Sequence, residues 1–276
     1  MATPGESVIS RVVRVLEAFQ SDESELSVAA IARSSRLPIP SAHRIVNELI
    51  RWELLERTDT RRIRIGLRLW ELAVRNSPQT ELRDRALPFL EGLQSAVRQH
   101  TQLSVLRGTD VVYIENLRAP EPTAISILKL AGRLPAATCS AGIVFAAFGT
   151  DAEREAILGA IPRPLTSASP TRTDDIWAAI EAGRRSGVCA IEGWIHPDVT
   201  GLAAPIRDQH DEVVAAVSVL VPRDSALADN ARPAVRATAH GISRALHTER
   251  TRDPELLLLE YMVRQGTSDA HGGQQQ

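Results

Sequence analysis

Apolar residues recur at helical spacing from Val8 through Val12, Val15 and Leu16 to Phe19, and Ser7 just before them is a suitable N-cap. This predicts a first helix ending near the polar run SDESE. A second capping residue, Ser27, precedes Val28, Ile31 and Ala32, which would form the inner face of a short second helix. Ser34-Ser35-Arg36 reads as a turn, Leu37 as a core plug, and Pro38 with Pro40 as the boundary between the second helix and a third. Ile45, Val46, Leu49 and Ile50 line the apolar face of that third helix. The period then shortens. Leu54-Leu55-Glu56-Arg57 and Arg62-Ile63-Arg64-Ile65 read as two strands joined by a turn at Asp59-Thr60-Arg61.

Beyond this unit the pattern alternates between helix and strand. Residues 66–73 form a short amphipathic helix, broken at Asn76-Ser77-Pro78. Leu82, Ala86, Phe89, Leu90, Leu93 and Val97 continue at helical spacing, with Pro88 inside the run, where it should kink the helix or mark its start. Strands are predicted over 102–106 and 111–115, joined at Gly108-Thr109-Asp110, and over 124–130. Helices follow over 139–148, 153–158 and 174–186, the last closed by Gly187. Strands over 188–191, 201–206 and 213–221 precede a closing helix over 230–247. Strands in runs with helices between them predict an α+β fold around an antiparallel sheet. The expected organisation is a winged helix-turn-helix domain over 6–67, a linker helix over 68–80, a larger domain over 81–250, and a partly disordered extension over 251–276 that holds an apolar helix-like segment at 254–264.

Composition narrows the setting. The 276 residues are 43% apolar and 24% charged, a profile of a water-soluble protein of two domains. No apolar run is long enough to span a bilayer and no secretory signal is visible, so a cytoplasmic protein without a membrane partner is expected. Cys139 and Cys189 are too few for a disulfide framework and too far apart for a metal motif. The net charge of −2 hides an asymmetry. Nine arginines (33, 36, 44, 51, 57, 61, 62, 64, 68) stand against Glu48, Glu53, Glu56 and Asp59, an excess of +5 confined to the helix-turn-helix stretch. An anion-binding module beside an acidic domain has this distribution.

A short helix, a tight turn and a helix opening PSAHR have helix-turn-helix spacing. The third helix presents Ser41, Ala42, His43, Arg44 and Asn47 near its start. Ser41 and His43 can meet phosphate or base edges, Arg44 can take guanine bidentately, and Asn47 can take adenine. Arg61 and Arg62 at the hairpin tip would reach the backbone or the minor groove of double-stranded DNA. A competing reading keeps the winged helix as a protein-interaction scaffold without DNA contact. A small-molecule enzyme on the larger domain is a third reading, but no G-x-S-x-G elbow, P-loop or G-x-G-x-x-G supports it. His196-Pro197-Asp198 and His210-Asp211 lack metal-ligand spacing, so no metal and no cofactor are expected.

The segments SVISRVVRVLEAF, LSVAAIARSSRLPIPSAHRIVNELI and RIRIGLRLWELA resemble the DNA-binding domain of the IclR family of bacterial transcriptional regulators. LAGRLPAATCSAGIVFAAFG and GLAAPIRDQHDEVVAAVSVLVP resemble its GAF-like effector-binding domain, and together the resemblance covers about residues 7–250. It implies a transcription regulator, more often a repressor, that binds an operator as a homodimer or dimer of dimers. It implies a small-molecule effector, a small organic acid or aromatic compound, facing Leu134, Ser140, Ala141, Gly142, Glu192, Gly201, Ser218 and Leu220. The linker helix, rich in Leu67, Leu69, Trp70 and Leu72, would help form the dimer. The chain departs from the family's usual pattern at several positions, among them Glu192-Gly193-Trp194, where an acidic cluster is common. Pro40 stands where a basic residue is common, Ile143 where lysine is common, and Gly201 where cysteine is common. Gly201 enlarges one wall and Trp194 adds an aromatic face, so the effector is expected to carry an apolar or aromatic body.

Overall fold

The computed structural model describes residues 6–20, 23–75, 77–119, 132–223 and 226–247. The chain divides into two compact units, Met1–Glu81 and Leu82–Gln276. Among the described residues no helix is long and apolar enough to cross a membrane. The strand expected at 124–130 and the segment 254–264 lie outside the described residues.

The first unit packs α1 (Val8–Glu17), α2 (Val28–Ser34) and α3 (Ile39–Arg51) against a hairpin of β1 (Leu55–Arg57) and β2 (Ile63–Ile65). Both predicted caps form. The Ser7 hydroxyl accepts from the Ser10 amide and the Ser27 hydroxyl from the Ala30 amide. Ile31, Ala32, Leu37, Ala42, Ile45, Val46, Leu49, Leu55 and Ile63 share one buried cluster with Val15.

The turns between these elements use a device that glycine would have signalled. Arg36 ends α2 with φ 54°, and the Leu37 amide reaches back to the Ala32 carbonyl at 3.0 Å. Glu53 ends α3 with φ 59°, and the Leu54 amide reaches the Leu49 carbonyl at 2.9 Å. Both are Schellman closures with a charged residue in the left-handed position. Burial of Leu37 and the half-buried Leu54 just beyond the turn compensates for the missing glycine. Leu26 exchanges both backbone hydrogen bonds with Ile63, which ties the chain before α2 to the wing.

Two helices follow, α4 (Leu67–Val74) and α5 (Pro78–Val97). α4 is capped from outside. Glu56 on β1 accepts from the Leu67 amide at 3.0 Å, and this bond, with the Arg64 guanidinium, holds the Glu56 carboxyl below its ordinary value. α5 begins at Pro78 and continues through Pro88, so Pro88 neither starts nor ends it.

In the second unit six antiparallel strands lie in the order β5-β4-β3-β8-β7-β6. These are β3 (His100–Arg107), β4 (Asp110–Leu117), β5 (Arg133–Pro135), β6 (Cys189–Glu192), β7 (Val199–Arg207) and β8 (Val213–Pro222). The short β5 was not anticipated from the sequence. Alternation sorts the two faces. Leu202, Ala204 and Ile206 of β7 and Val217, Val219 and Val221 of β8 pack with α5 and with α9 (Leu227–His247). Ala203 and Ala216 pack on the other face with α6 (Ser140–Phe148) and α8 (Thr173–Ser186). α7 (Asp151–Leu158) opens with a capping box between Thr150 and Glu153, and Gly187 closes α8 at φ 73°.

Candidate functional site: a recognition helix and a buried cavity

On α3 the residues divide by helical period. Ala42 is fully buried with Ile45 and Val46, so it belongs to the core and not to the presented face. His43, Arg44 and Asn47 are exposed and Ser41 is half-buried. His43 Nδ1 lies 3.1 Å from Asn47 Nδ2, and Arg57 of β1 donates to Asn47 Oδ1 at 3.2 Å. The wing thus braces the helix face through Arg57, a residue that sequence reasoning had not singled out. Its position opposite Asn47 depends on the chain reversing at Glu53.

The hairpin tip separates its two arginines. Arg61 takes the left-handed position at φ 59° and is exposed. Arg62 folds back onto its own domain: it donates to the Glu25 carbonyl at 2.6 and 3.1 Å and pairs with Glu23 at 2.6 Å. Ile39 and Pro40 stand exposed in the first turn of α3, so the usual basic position carries no cation.

In the second unit a cavity lies between the α6 face of the sheet and the β6–β7 connection. Its enclosed volume is about 30 Å³, within about 470 Å³ of empty space that includes the mouth and open solvent, and it is lined by Gln102, Tyr113, Cys139, Ser140, Ile191, Trp194, Ile195, His196, Val199, Gly201 and Leu220. Among the described residues no Lys, Arg, Asp or Glu lines it. Strand register assembles it. Leu220 pairs with Gly201, and Gly201 with Ile191, so these three form one row across β8, β7 and β6. Gln102 pairs with Ser218 in the neighbouring row. A Cβ on Gly201 would sit 2.8 Å from Ser140 Oγ, so its hydrogen leaves room for the serine hydroxyl. Trp194, Ile195 and His196 are half-buried, whereas Gln102, Tyr113, Cys139 and Ser140 are buried and close the far side.

Cys139 caps α6, its Sγ accepting from the Gly142 amide at 3.4 Å. Tyr113 donates its hydroxyl to the same sulfur, and burial pushes both groups up: the thiol to about 11 and the phenol well above its ordinary value. A neutral thiol held this way is no nucleophile at neutral pH.

Of the effector residues expected from the sequence, the cavity brings together Ser140, Gly201 and Leu220. The other five lie elsewhere. Ala141 is buried inside α6, and Gly142 abuts Ala136, where a Cβ would come within 2.0 Å of the carbonyl oxygen. Close packing therefore accounts for both. Ser218 stands behind Gln102, donating to its Oε1 at 3.4 Å. Leu134 packs on the core cluster around α6. Glu192 is exposed, pointing away from the face that carries Ile191. Gln102 and Tyr113 were missed because no local pattern marks them, and His196, weighed from the sequence only as a metal ligand, lines the cavity. Among the described residues no group of three or more His, Cys, Asp or Glu could hold a metal.

Both halves of the chain match known families. Residues 8–59 match the IclR helix-turn-helix domain and residues 76–244 the C-terminal domain of bacterial IclR transcriptional regulators. The chain belongs to the IclR family. An IclR homolog from Microbacterium hydrocarbonoxydans, solved with 4-hydroxybenzoate, is 36% identical with a TM-score of 0.81, covering 87% of this chain and 99% of that one. The Pca regulon regulatory protein of Pseudomonas putida is 26% identical over 76% of this chain and 72% of its own length. The regulator XynR of Escherichia coli K12 is 25% identical over 86% of this chain and 96% of its own length. This IclR-family chain is therefore a ligand-responsive, DNA-binding transcriptional regulator of α+β fold.

Proposed function

We propose that this regulator is a cytoplasmic repressor, acting as a dimer or dimer of dimers, whose hold on a palindromic operator is set by a small aromatic acid. The observation that carries this reading is the cavity. It pairs an aromatic wall, Trp194, with a closed end built from Ser140 and the start of α6. α6 has no acidic residue in its first turn, and its cap is a weakly accepting thiol. A helix start in that condition favours an anion. The similar Microbacterium protein was solved with 4-hydroxybenzoate, a molecule of this class.

On the output side Ser41, His43, Arg44 and Asn47 face the major groove, while Arg61 on the wing meets the backbone or the minor groove. The ligand acts by population shift: it changes operator affinity only as far as it binds one arrangement of the dimer better than another. The test is a gel shift on the DNA flanking the protein's own gene, with 4-hydroxybenzoate, benzoate and short-chain acids added in turn. Specific binding that one aromatic acid weakens supports the reading. Absence of DNA binding at low salt would favour the protein-interaction scaffold, and response to short-chain acids alone would remove the aromatic assignment.

A further inference from the structure

Gln102 sits in the middle of the sheet, on β3 between β4 and β8, and is fully buried. Its Oε1 accepts from the Ser218 hydroxyl at 3.4 Å, but its Nε2 has no hydrogen-bond partner. Cores rarely leave a primary amide donor unmet, because the group has given up water and received nothing in exchange. Gln102 lines the cavity, which offers space where a partner could stand. Ser140 lines the same cavity at the start of α6, where the Cys139 thiol is only a weak acceptor, and among the described residues no Arg or Lys lines it.

We infer that Gln102 is the specificity-determining residue of the effector site, its Nε2 donating to a carboxylate oxygen of the ligand. The inference rests on the reading of this cavity as an aromatic-acid site. The carboxylate is then recognised by neutral donors, the Gln102 amide and the start of α6, in place of a cation. Ser218 contributes by fixing the amide with its oxygen turned away. A neutral carboxamide of the same shape brings its own N–H groups against these donors and is rejected, as expected wherever a buried donor is left facing another donor.

Calorimetric titration of the full chain with benzoate, 4-hydroxybenzoate and benzamide tests this. The wild type is expected to prefer the acids over benzamide. Gln102→Leu, which roughly keeps the volume and removes the donor, should weaken acid binding about tenfold or more and ease the rejection of benzamide. Gln102→Glu, which replaces the donor by an acceptor, should weaken it further. The melting temperature of ligand-free Gln102→Leu should equal or exceed that of the wild type, since an unmet donor has been removed; a merely structural glutamine would lower it. Acid affinity unchanged in Gln102→Leu overturns the inference and leaves the cavity reading standing. If the wild type binds neither acid, the cavity reading fails and takes this inference with it. Should Gln102→Glu not fold, Gln102→Leu and Gln102→Met decide alone.

Discussion

Single residues in this chain are read correctly only once their surroundings are known. In the sequence Cys139 and Cys189 are too few for a disulfide framework and too far apart for a metal motif, which leaves Cys139 without a role. Burial makes it a neutral helix cap instead, outweighing the Tyr113 hydroxyl, which on its own would favour the thiolate. Its thiol is raised from the ordinary 9.0 to about 11, so below pH 9 it is neutral in folded and unfolded chains alike, and its contribution to stability is whole. From pH 9 to about 11 the unfolded chain ionises first and stability falls, by roughly 2–3 kcal/mol for this group. Cys189, raised by burial to about 12, adds to the same decline. Urea unfolding at intervals between pH 8 and 11 should show the loss, and Cys139→Ala should flatten it. An identical pH profile in that variant would mean the thiol ionises freely in the folded protein. Ala42 teaches the same lesson on α3: one residue from His43, it faces the core because the helical period turns it there.

At the scale of the element, the wing carries its two arginines into different roles. Arg61 occupies the left-handed tip position and is exposed, whereas Arg62 is spent on the Glu25 carbonyl and Glu23. Arg61→Ala should therefore reduce the slope of log affinity against log salt by roughly one phosphate contact. Arg62→Ala should leave that slope alone and cost about 1 kcal/mol or less of stability, since its ion pair is partly exposed and screened. Fluorescence anisotropy over a salt series, with a melt of each variant, checks both. Equal slopes for the two variants would remove the distinction. The elements themselves were largely legible. Caps at Ser7 and Ser27, apolar periodicity in α1 to α3 and the strand alternation after Leu54 reproduce the DNA-binding unit, because each signal is local. β5 was not legible, since its three residues are too few to show a period. The charged left-handed residues Arg36 and Glu53 lacked the glycine that normally announces such a turn.

At the scale of the molecule, apolar surface stays exposed among the described residues. Ile9 is 75% exposed on α1, and Leu67, Trp70 and Leu72 are 60% exposed or more on α4. A helix as short as α4 with no buried residue is poorly stabilised alone. In the proposed dimer a second copy of the chain covers it. Replacing Trp70 and Leu72 by Glu should halve the mass in sedimentation equilibrium and weaken binding to a palindromic operator by about 100-fold or more, because the second half-site then binds independently. A variant that keeps its mass and its operator affinity would place the dimer contact elsewhere.

What the sequence determined by itself was most of the elements, the α+β class, the basic helix-turn-helix and the family, all of them carried by local periodicity, capping chemistry and motif. What only the tertiary structure decided was the cavity. Strand register sets Leu220, Gly201 and Ile191 in one row and Gln102 against Ser218 in the next, although these partners lie far apart in the chain. Helix rotation likewise chose Ser140 for the cavity while turning Ala141 and Gly142 into packing. The sidedness of a pocket depends on pairing between distant segments, and no local pattern encodes which residue a neighbouring strand will place beside it.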